Sequence, residues 1–187
     1  FQAMLDAFYD YKGRKKTTGN FAFQSLDPAQ LETHLHGFVR GFYAGLYPHG
    51  GFVDKTPGAP AIRGIPLIRA VFPDARILIT KRGGVETVTS HRRKFDSSIV
   101  AACRAWTACM DAILWAEANC KDVQVIEQHD MTNRPDVVAE AICTHLGQPR
   151  RARQVARFLQ ENEKQRSSTH DASRALTLAD VPWTAED

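Results

Sequence analysis

The sequence lacks several features that would point to a particular class of protein. It has no uninterrupted apolar run of the roughly 18 to 20 residues that a membrane span requires, and its first residues lack the charged-then-apolar layout of a signal peptide. None of its four cysteines forms a Cys-x-x-Cys pair. We therefore expect a soluble, cytoplasmic protein without a membrane span, whose cysteines are reduced and act as small apolar core residues.

An excess of charge of one sign is also missing. The 24 Lys and Arg residues against 21 Asp and Glu residues leave a formal charge of only +3. Because basic and acidic residues are nearly equal in number, the net charge does not indicate a nucleic-acid partner. It still allows a local basic pocket for an anion. Repeats and low-complexity tracts are absent as well. The 187 residues, of which 43% are hydrophobic, suit one globular domain over residues 1–187.

Helix and strand patterns alternate along the chain. Apolar residues recur at helical spacing over residues 2–11, 28–47, 62–72, 85–94, 99–119, 135–146 and 150–165. Short runs with the length and composition of strands cover residues 51–55, 76–80 and 123–126. Continuous apolar strands separated by helices are typical of a sheet covered on both faces. The sequence therefore predicts an α/β fold with a mainly parallel sheet flanked by helices.

The segment around Arg82 is the most informative part of the chain. Arg82 follows the predicted strand 76–80, at the end where open parallel sheets place their ligands. Gly83 and Gly84 permit a tight turn and a close backbone approach, and the helix that they open presents free N–H groups with partial positive charge. These features favour an anion site, although an arginine at a strand end is also commonly structural.

This segment resembles part of a known enzyme family. Phe72-Pro73, an apolar strand, Arg82 and then Ser90 eight positions later are similar to the 3′-phosphate-binding segment of sulfotransferases that use 3′-phosphoadenosine-5′-phosphosulfate (PAPS). The resemblance implies that Arg82 makes charge-assisted bonds to the nucleotide 3′-phosphate and that Ser90 donates its hydroxyl to it. Gly83-Gly84 replaces the Asp or Asn and then Pro that is usual in the family, so we expect a looser turn.

The family likeness also implies the fold and the reaction. It implies a P-loop nucleotide kinase-like architecture and an enzyme that moves a sulfuryl group from PAPS to an acceptor hydroxyl or amine by in-line displacement. Adenosine 3′,5′-bisphosphate (PAP) would be the product, and no metal would be required. We expect a small-molecule or carbohydrate acceptor, and the sequence leaves the oligomeric state open.

A second match concerns the chemistry of transfer. Asp54-Lys55-Thr56-Pro57 resembles the Glu-Lys-Thr-Pro or Glu-Lys-Ser segment of carbohydrate-type and several bacterial sulfotransferases. The resemblance implies that Asp54 is the general base and that Lys55 offsets charge on the transferring group. The other reading is a surface ion pair that ends a strand. Because aspartate is shorter than the usual glutamate, three histidines stay open as alternative bases: His49, His91 and His129.

Two later segments support the family rather than the chemistry. The strand 123–126, the acidic turn with Asp130 and a helix ending at Leu146-Gly147 resemble a strand, turn and helix of the family, and we expect Asp130 to brace the loop or cap the helix. Residues 176–183 resemble a late loop of the family, in which a preceding basic residue, here Arg174, approaches the 3′-phosphate.

One family feature is missing from the sequence. Sulfotransferases begin with an apolar strand and a Gly/Ser/Thr-rich loop that cradles the 5′-phosphosulfate. The most similar segment here, residues 13–19, comes after a predicted helix and not after a strand. We expect either a chain that is incomplete at its N-terminus, and at its C-terminus too, or a degenerate relative that binds a nucleotide or a partner without catalysis. A P-loop kinase-like phosphotransferase is the third alternative, although we identify neither its Walker lysine nor its magnesium ligands.

Several aromatic residues have two readings in the sequence. They either line an acceptor pocket or belong to the core, because aromatic residues at helical spacing serve both purposes. They are Phe38, Phe42, Tyr43, Trp106 and Trp115.

Overall fold

The structure, a computed structural model, describes Asp10, residues 27–162, residues 175–181 and Trp183. These residues form a helix-rich mixed α/β protein with a parallel pair of strands. Two compact units divide the chain: residues 1–54 with 67–73, and residues 55–66 with 74–187. The single domain over residues 1–187 stays a prediction.

Some of the predicted segments lie outside the described residues. They are the N-terminal helix apart from Asp10, the basic loop 13–19, the polar loop 167–173 and Arg174.

In the first unit, helix α1 runs from Pro28 to Leu46 and confirms the helix predicted from Asp27-Pro28. The Asp27 carboxylate accepts a hydrogen bond from the backbone N–H of Ala29 at 3.1 Å. This bond satisfies one of the first N–H groups of the helix, and a proline at the next position needs no partner for its nitrogen. The local sequence therefore determines where α1 begins.

An aromatic cluster forms the packed part of the first unit. Tyr43 and Tyr47 of α1 stack on Phe52, with ring centroids 4.5 and 5.2 Å apart respectively, and Phe72 meets Phe52 edge-on at 5.5 Å. Such offset and edge-on contacts add to the free energy gained by burying the rings. Tyr43 therefore has a packing role, whereas Phe38 and Phe42 are exposed on the same helix.

The predicted strand 51–55 is wrong. Residues 51–57 have no regular secondary structure, and Val53 is 97% exposed. The pattern is misleading because Phe52 and Val53 have strand propensity, yet no strand in the described part of the chain pairs with them.

The single helix predicted over residues 62–72 is divided in two. Helix α2 covers Ala59–Arg63 and helix α3 covers Ile65–Val71. Gly64 lies between them, and its N–H donates to the carbonyl of Pro60 at 2.9 Å. Pro66 has no N–H to continue a helix but fits a first turn, so a new helix begins just before it.

The sheet lies in the second unit. Strands β1 (Ile77–Lys81) and β2 (Val123–Glu127) pair in parallel, from Ile77 opposite Val123 to Lys81 opposite Glu127. Both predicted strands are confirmed, each with one more residue at its carboxyl end than the apolar run. The parallel register brings the carboxyl ends of the strands, and therefore the turns that follow them, to one edge.

Helices α4 (Gly84–Phe95) and α5 (Ile99–Asn119) connect the strands and confirm both predictions. Ser98 caps α5 by accepting a hydrogen bond from the N–H of Ala101 at 3.2 Å. The central cluster of the core joins α3, β1 and α5 through Ile65, Ile79, Ile113 and Ala116.

Helix α5 is long and apolar enough to span a membrane by length and composition alone. This is weak evidence, since a core helix of a soluble protein passes the same test. Arg104, Asp111 and Glu117 interrupt its apolar sequence, and Ala112 and Ile113 are buried in the protein.

The later elements follow β2 in close succession. They are helices α6 (Gln128–Asn133), α7 (Pro135–His145) and α8 (Ala152–Glu161), with 3₁₀ turns at Pro149–Arg151 and Leu178–Asp180. Helix α7 packs on α8 and on β2. Gly147, with φ of 70°, ends α7 as predicted. All four cysteines are free, and Cys143 on α7 is buried.

Candidate functional site

Arg82 follows β1 directly and stands at the edge where both strands end. Its neighbour Lys81 forms an ion pair of 2.8 Å with Glu127, which holds the ends of β1 and β2 together. The hydrogen bond to Glu127 raises the pKa of Lys81 and outweighs the lowering by burial. Arg82 is partly buried. Arg82 therefore lies in the turn between β1 and α4, two residues before α4 begins.

The turn after Arg82 is supported from α5. The indole N–H of Trp106 donates a hydrogen bond to the carbonyl of Arg82 at 3.2 Å. A side chain on Gly84 would put its Cβ 3.2 Å from the indole ring of Trp106, so the absence of a side chain allows this contact. Trp106, read from the sequence as an acceptor-pocket or core residue, therefore braces the backbone of Arg82.

Two charged residues of α4 act electrostatically on Arg82. Burial lowers the pKa of Arg82, while the Glu86 carboxylate raises it and the Arg93 cation lowers it. Glu86, Ser90 and Arg93 are spaced i, i+4 and i+7, which puts them on one side of the helix. Glu86 and Arg93, which both act electrostatically on Arg82, therefore lie on the same face of α4 as Ser90.

The Ser90 hydroxyl is free to bind a ligand. Two threonines on the same helix use their hydroxyls internally: Thr87 donates to the carbonyl of Gly83 at 2.8 Å and Thr89 to that of Val85 at 2.7 Å. Ser90 is partly buried and has no such partner among the residues that the structure describes. A hydroxyl in that position is suited to donate to an anion that Arg82 also holds.

The late segment meets the same turn through Glu86. The backbone N–H of Leu176 donates to Oε1 of Glu86 at 2.6 Å. Leu176 is only 8% exposed, so this part of the segment is packed. Glu86 was not among the residues predicted from the sequence, although an acid at the third position of a helix is a known signal for a helix start. Arg174, two residues earlier in the sequence, lies outside the described residues.

Asp54 and Lys55, the residues expected to assist transfer, lie in the irregular stretch 51–57. Asp54 belongs to the first unit and Lys55 to the second. Both side chains are exposed. The partial burial that favours a general base is therefore not present at Asp54.

The three histidines considered as alternative bases differ in their surroundings. His91 is hydrogen-bonded through Nδ1 to the Ser97 hydroxyl at 2.6 Å. His129 is hydrogen-bonded to Asn133 within α6. His49 is exposed in the turn after α1. His91 and His129 thus have structural contacts, which is the commoner role of a histidine outside an active site.

Asp130 has the bracing role that the sequence predicted. It forms an ion pair with Arg134 at 2.6 Å, and this hydrogen-bonded contact raises the pKa of Arg134. Arg134 occupies the position before the first residue of α7. The pair therefore secures the turn between α6 and α7.

The comparison with protein families identifies the family of the chain. A family model described as "Sulfotransferase family" matches residues 8–152. The match includes Asp54, Lys55, Arg82 and Ser90, and it ends before Arg174. No curated protein and no solved structure matches the chain. Because the family model covers well over half of the sequence, the chain belongs to the sulfotransferase family.

Proposed function

We propose that this chain transfers a sulfuryl group from PAPS to an acceptor hydroxyl or amine and that it has the P-loop kinase-like architecture of such enzymes. Arg82 and Ser90 bind the 3′-phosphate of the nucleotide in this proposal. Asp54 and Lys55 act on the acceptor and on the transferring group.

The observation that carries the proposal is the succession of three anion-binding features along β1 and α4. Arg82 follows the carboxyl end of β1, α4 begins two residues later, and Ser90 lies on the face of α4 that also carries Glu86. A guanidinium gives charge-assisted bonds to phosphate oxygens, and the first N–H groups of a helix attract negative charge. Partial burial of Arg82 strengthens its attraction to a phosphate, because the effective dielectric constant is lower there than in water.

The proposed reaction needs a group that accepts a proton from the acceptor and a group that stabilises negative charge. The acceptor oxygen or nitrogen attacks sulfur, and the bond from sulfur to the phosphate oxygen of PAPS breaks, which leaves PAP. Asp54 takes the proton that the acceptor loses, and Lys55 offsets negative charge on the sulfuryl oxygens and on the departing phosphate.

The test is whether the protein distinguishes nucleotides by their 3′-phosphate. Calorimetric titration with PAP and with adenosine 5′-monophosphate, which lacks that phosphate, compares ligands that differ in one group. We expect PAP to bind at least about tenfold more tightly, which is about 1.4 kcal/mol. Equal affinities, or no binding of either nucleotide, would contradict the proposal.

The exposure of Asp54 favours a second candidate, a relative that binds the nucleotide without transferring the sulfuryl group. The two candidates differ in one measurement, the formation of PAP from PAPS in the presence of phenolic, carbohydrate and amine acceptors. Formation of PAP that depends on an acceptor supports transfer. Tight PAP binding with no PAP formed from PAPS would support the binding protein instead.

A further inference from the structure

Glu86 connects two segments that are far apart in the sequence. Its carboxylate accepts the hydrogen bond from the N–H of Leu176, across 90 positions of the chain. The same carboxylate acts electrostatically on Arg82. Glu86 therefore contacts the late segment and acts electrostatically on Arg82, the candidate residue for binding the 3′-phosphate.

Space for the Glu86 carboxylate depends on Gly83. A Cβ on Gly83 would lie 2.2 Å from Oε2 of Glu86, much closer than two such atoms approach. The backbone of Gly83, with φ of −54° and ψ of 150°, would accept alanine. Gly83 thus leaves room for the Glu86 carboxylate, and its backbone conformation does not require glycine.

Hydrogen bonds within the late segment define its turn. Oδ2 of Asp180 accepts hydrogen bonds from the N–H of Thr177 at 2.8 Å and from its hydroxyl at 2.7 Å. These bonds close a capping box around the 3₁₀ turn Leu178–Asp180. Leu176 immediately precedes the box, so its N–H is the group through which Glu86 meets this turn.

We propose that Glu86 is a positioning residue of the 3′-phosphate site: it holds the segment Leu176–Asp180 against the turn of Arg82, with room provided by Gly83. The proposal rests on the proposed function for the identity of the ligand. In this proposal the held segment shields the opening of α4 from water, and an ion pair between Arg82 and a phosphate is stronger where water is excluded.

The negative charge of Glu86 and its hydrogen bond to Leu176 predict opposite effects on phosphate binding when Glu86 is replaced. As a negative charge beside an anion site, Glu86 opposes phosphate binding, so its removal alone would strengthen binding. As the acceptor for Leu176, it favours binding. Glu86→Gln keeps an acceptor oxygen and removes the charge, whereas Glu86→Ala removes both. Glu140→Ala, an exposed site within α7, is the matched control.

The first experiment measures PAP and adenosine 5′-monophosphate binding to these variants. We expect Glu86→Ala to weaken PAP binding at least about tenfold, the value of one charge-assisted hydrogen bond, with little change for the monophosphate. Glu86→Gln should bind PAP as tightly as the wild type or more tightly. Tighter or unchanged PAP binding by Glu86→Ala would overturn the proposal.

Gly83→Ala gives an independent test that leaves Glu86 in the chain. The added methyl group displaces a flexible carboxylate at little cost to folding, so the variant should lose PAP affinity as Glu86→Ala does. The double variant should be no weaker than either single variant, because both remove the same contact. Additive losses would contradict the proposal.

Hydrogen exchange at the Leu176 amide separates this inference from the proposed function. Without nucleotide, exchange should be at least about tenfold faster in Glu86→Ala and Gly83→Ala than in the wild type and Glu86→Gln. Equal exchange in all four proteins would overturn the contact. If the wild type fails to bind PAP, the proposed function and the role of Glu86 in binding both fail, and the exchange data still report on the contact.

Discussion

The indole N–H of Trp106 donates a hydrogen bond to the backbone carbonyl of Arg82 at 3.2 Å, which ties the long helix α5 to the turn after β1. Trp106→Phe removes the donor and also the outer ring of the indole that approaches Gly84. We expect PAP affinity to fall severalfold, since a neutral hydrogen bond contributes about 0.5–1.5 kcal/mol. Titration of PAP into the variant measures this effect.

Trp115→Phe is the control for that substitution. Trp115 lies on the same helix but packs in the core, where its ring meets the Arg63 guanidinium at 4.8 Å. The Trp115→Phe variant should have a lower thermal stability than the wild type. Its PAP affinity should stay within about twofold of the wild-type value, a difference of about 0.4 kcal/mol. An equal loss of affinity in both variants would show a general effect of unfolding α5.

Ser90 should contribute to binding through its hydroxyl alone. Removing a hydrogen bond to a charged group costs about 1.5–3 kcal/mol, so Ser90→Ala should weaken PAP binding about 10- to 100-fold. Adenosine 5′-monophosphate should bind equally to both proteins. Thr89→Val, which loses a hydroxyl that is bonded within α4, should keep its PAP affinity. An unchanged affinity in Ser90→Ala would remove this residue from the site.

Asp54 should affect the rate of transfer and not the binding of the nucleotide. Loss of a general base typically lowers kcat about 100- to 10,000-fold. We therefore expect Asp54→Asn to retain PAP affinity and to lose PAP formation from PAPS. Asp74→Asn, another exposed aspartate, should keep both properties. Full activity in Asp54→Asn would turn attention to the histidines as the base.

The ion pair between Lys81 and Glu127 should stabilise the fold only while Lys81 is charged. The folded-state pKa of Lys81 is raised above its ordinary value of 10.5. The contribution is therefore fully present below the unfolded-state pKa and is lost as the pH rises through the folded-state pKa. Since both side chains are partly exposed, the coupling energy should be no more than about 1 kcal/mol.

A double-mutant cycle of Lys81→Met and Glu127→Gln, followed by denaturant unfolding, measures that coupling. It should be similar at pH 7 and pH 9, and should decline above pH 10.5. A coupling that grows in alkali would contradict the assigned direction of the pKa shift.

The sequence predicted those helices and strands that depend on residues close to one another in the chain. The strands β1 and β2 are apolar runs bounded by polar residues, and α1 and α5 begin at Asp27 and Ser98, whose side chains cap them. The position of Arg82 at the sheet edge followed from β1 alone. In each case the information lies within a few residues of the feature.

Contacts between distant residues could not be predicted in this way. The bond from Leu176 to Glu86 and the bond from Trp106 to Arg82 join residues that no periodic pattern connects. The false strand at 51–55 has the same cause, since a strand needs a partner as well as suitable residues. The supporting contacts of the site therefore emerged only from the structure.

The most direct test of the account is the titration of PAP into Arg82→Ala, with Arg153→Ala, an exposed arginine on α8, as the matched control. Truncating one member of a partly buried ion pair typically costs about 2–5 kcal/mol, so PAP affinity should fall at least about 30-fold in Arg82→Ala and remain unchanged in the control. Wild-type affinity for PAP in a folded Arg82→Ala protein would contradict the assignment of this turn as the 3′-phosphate site.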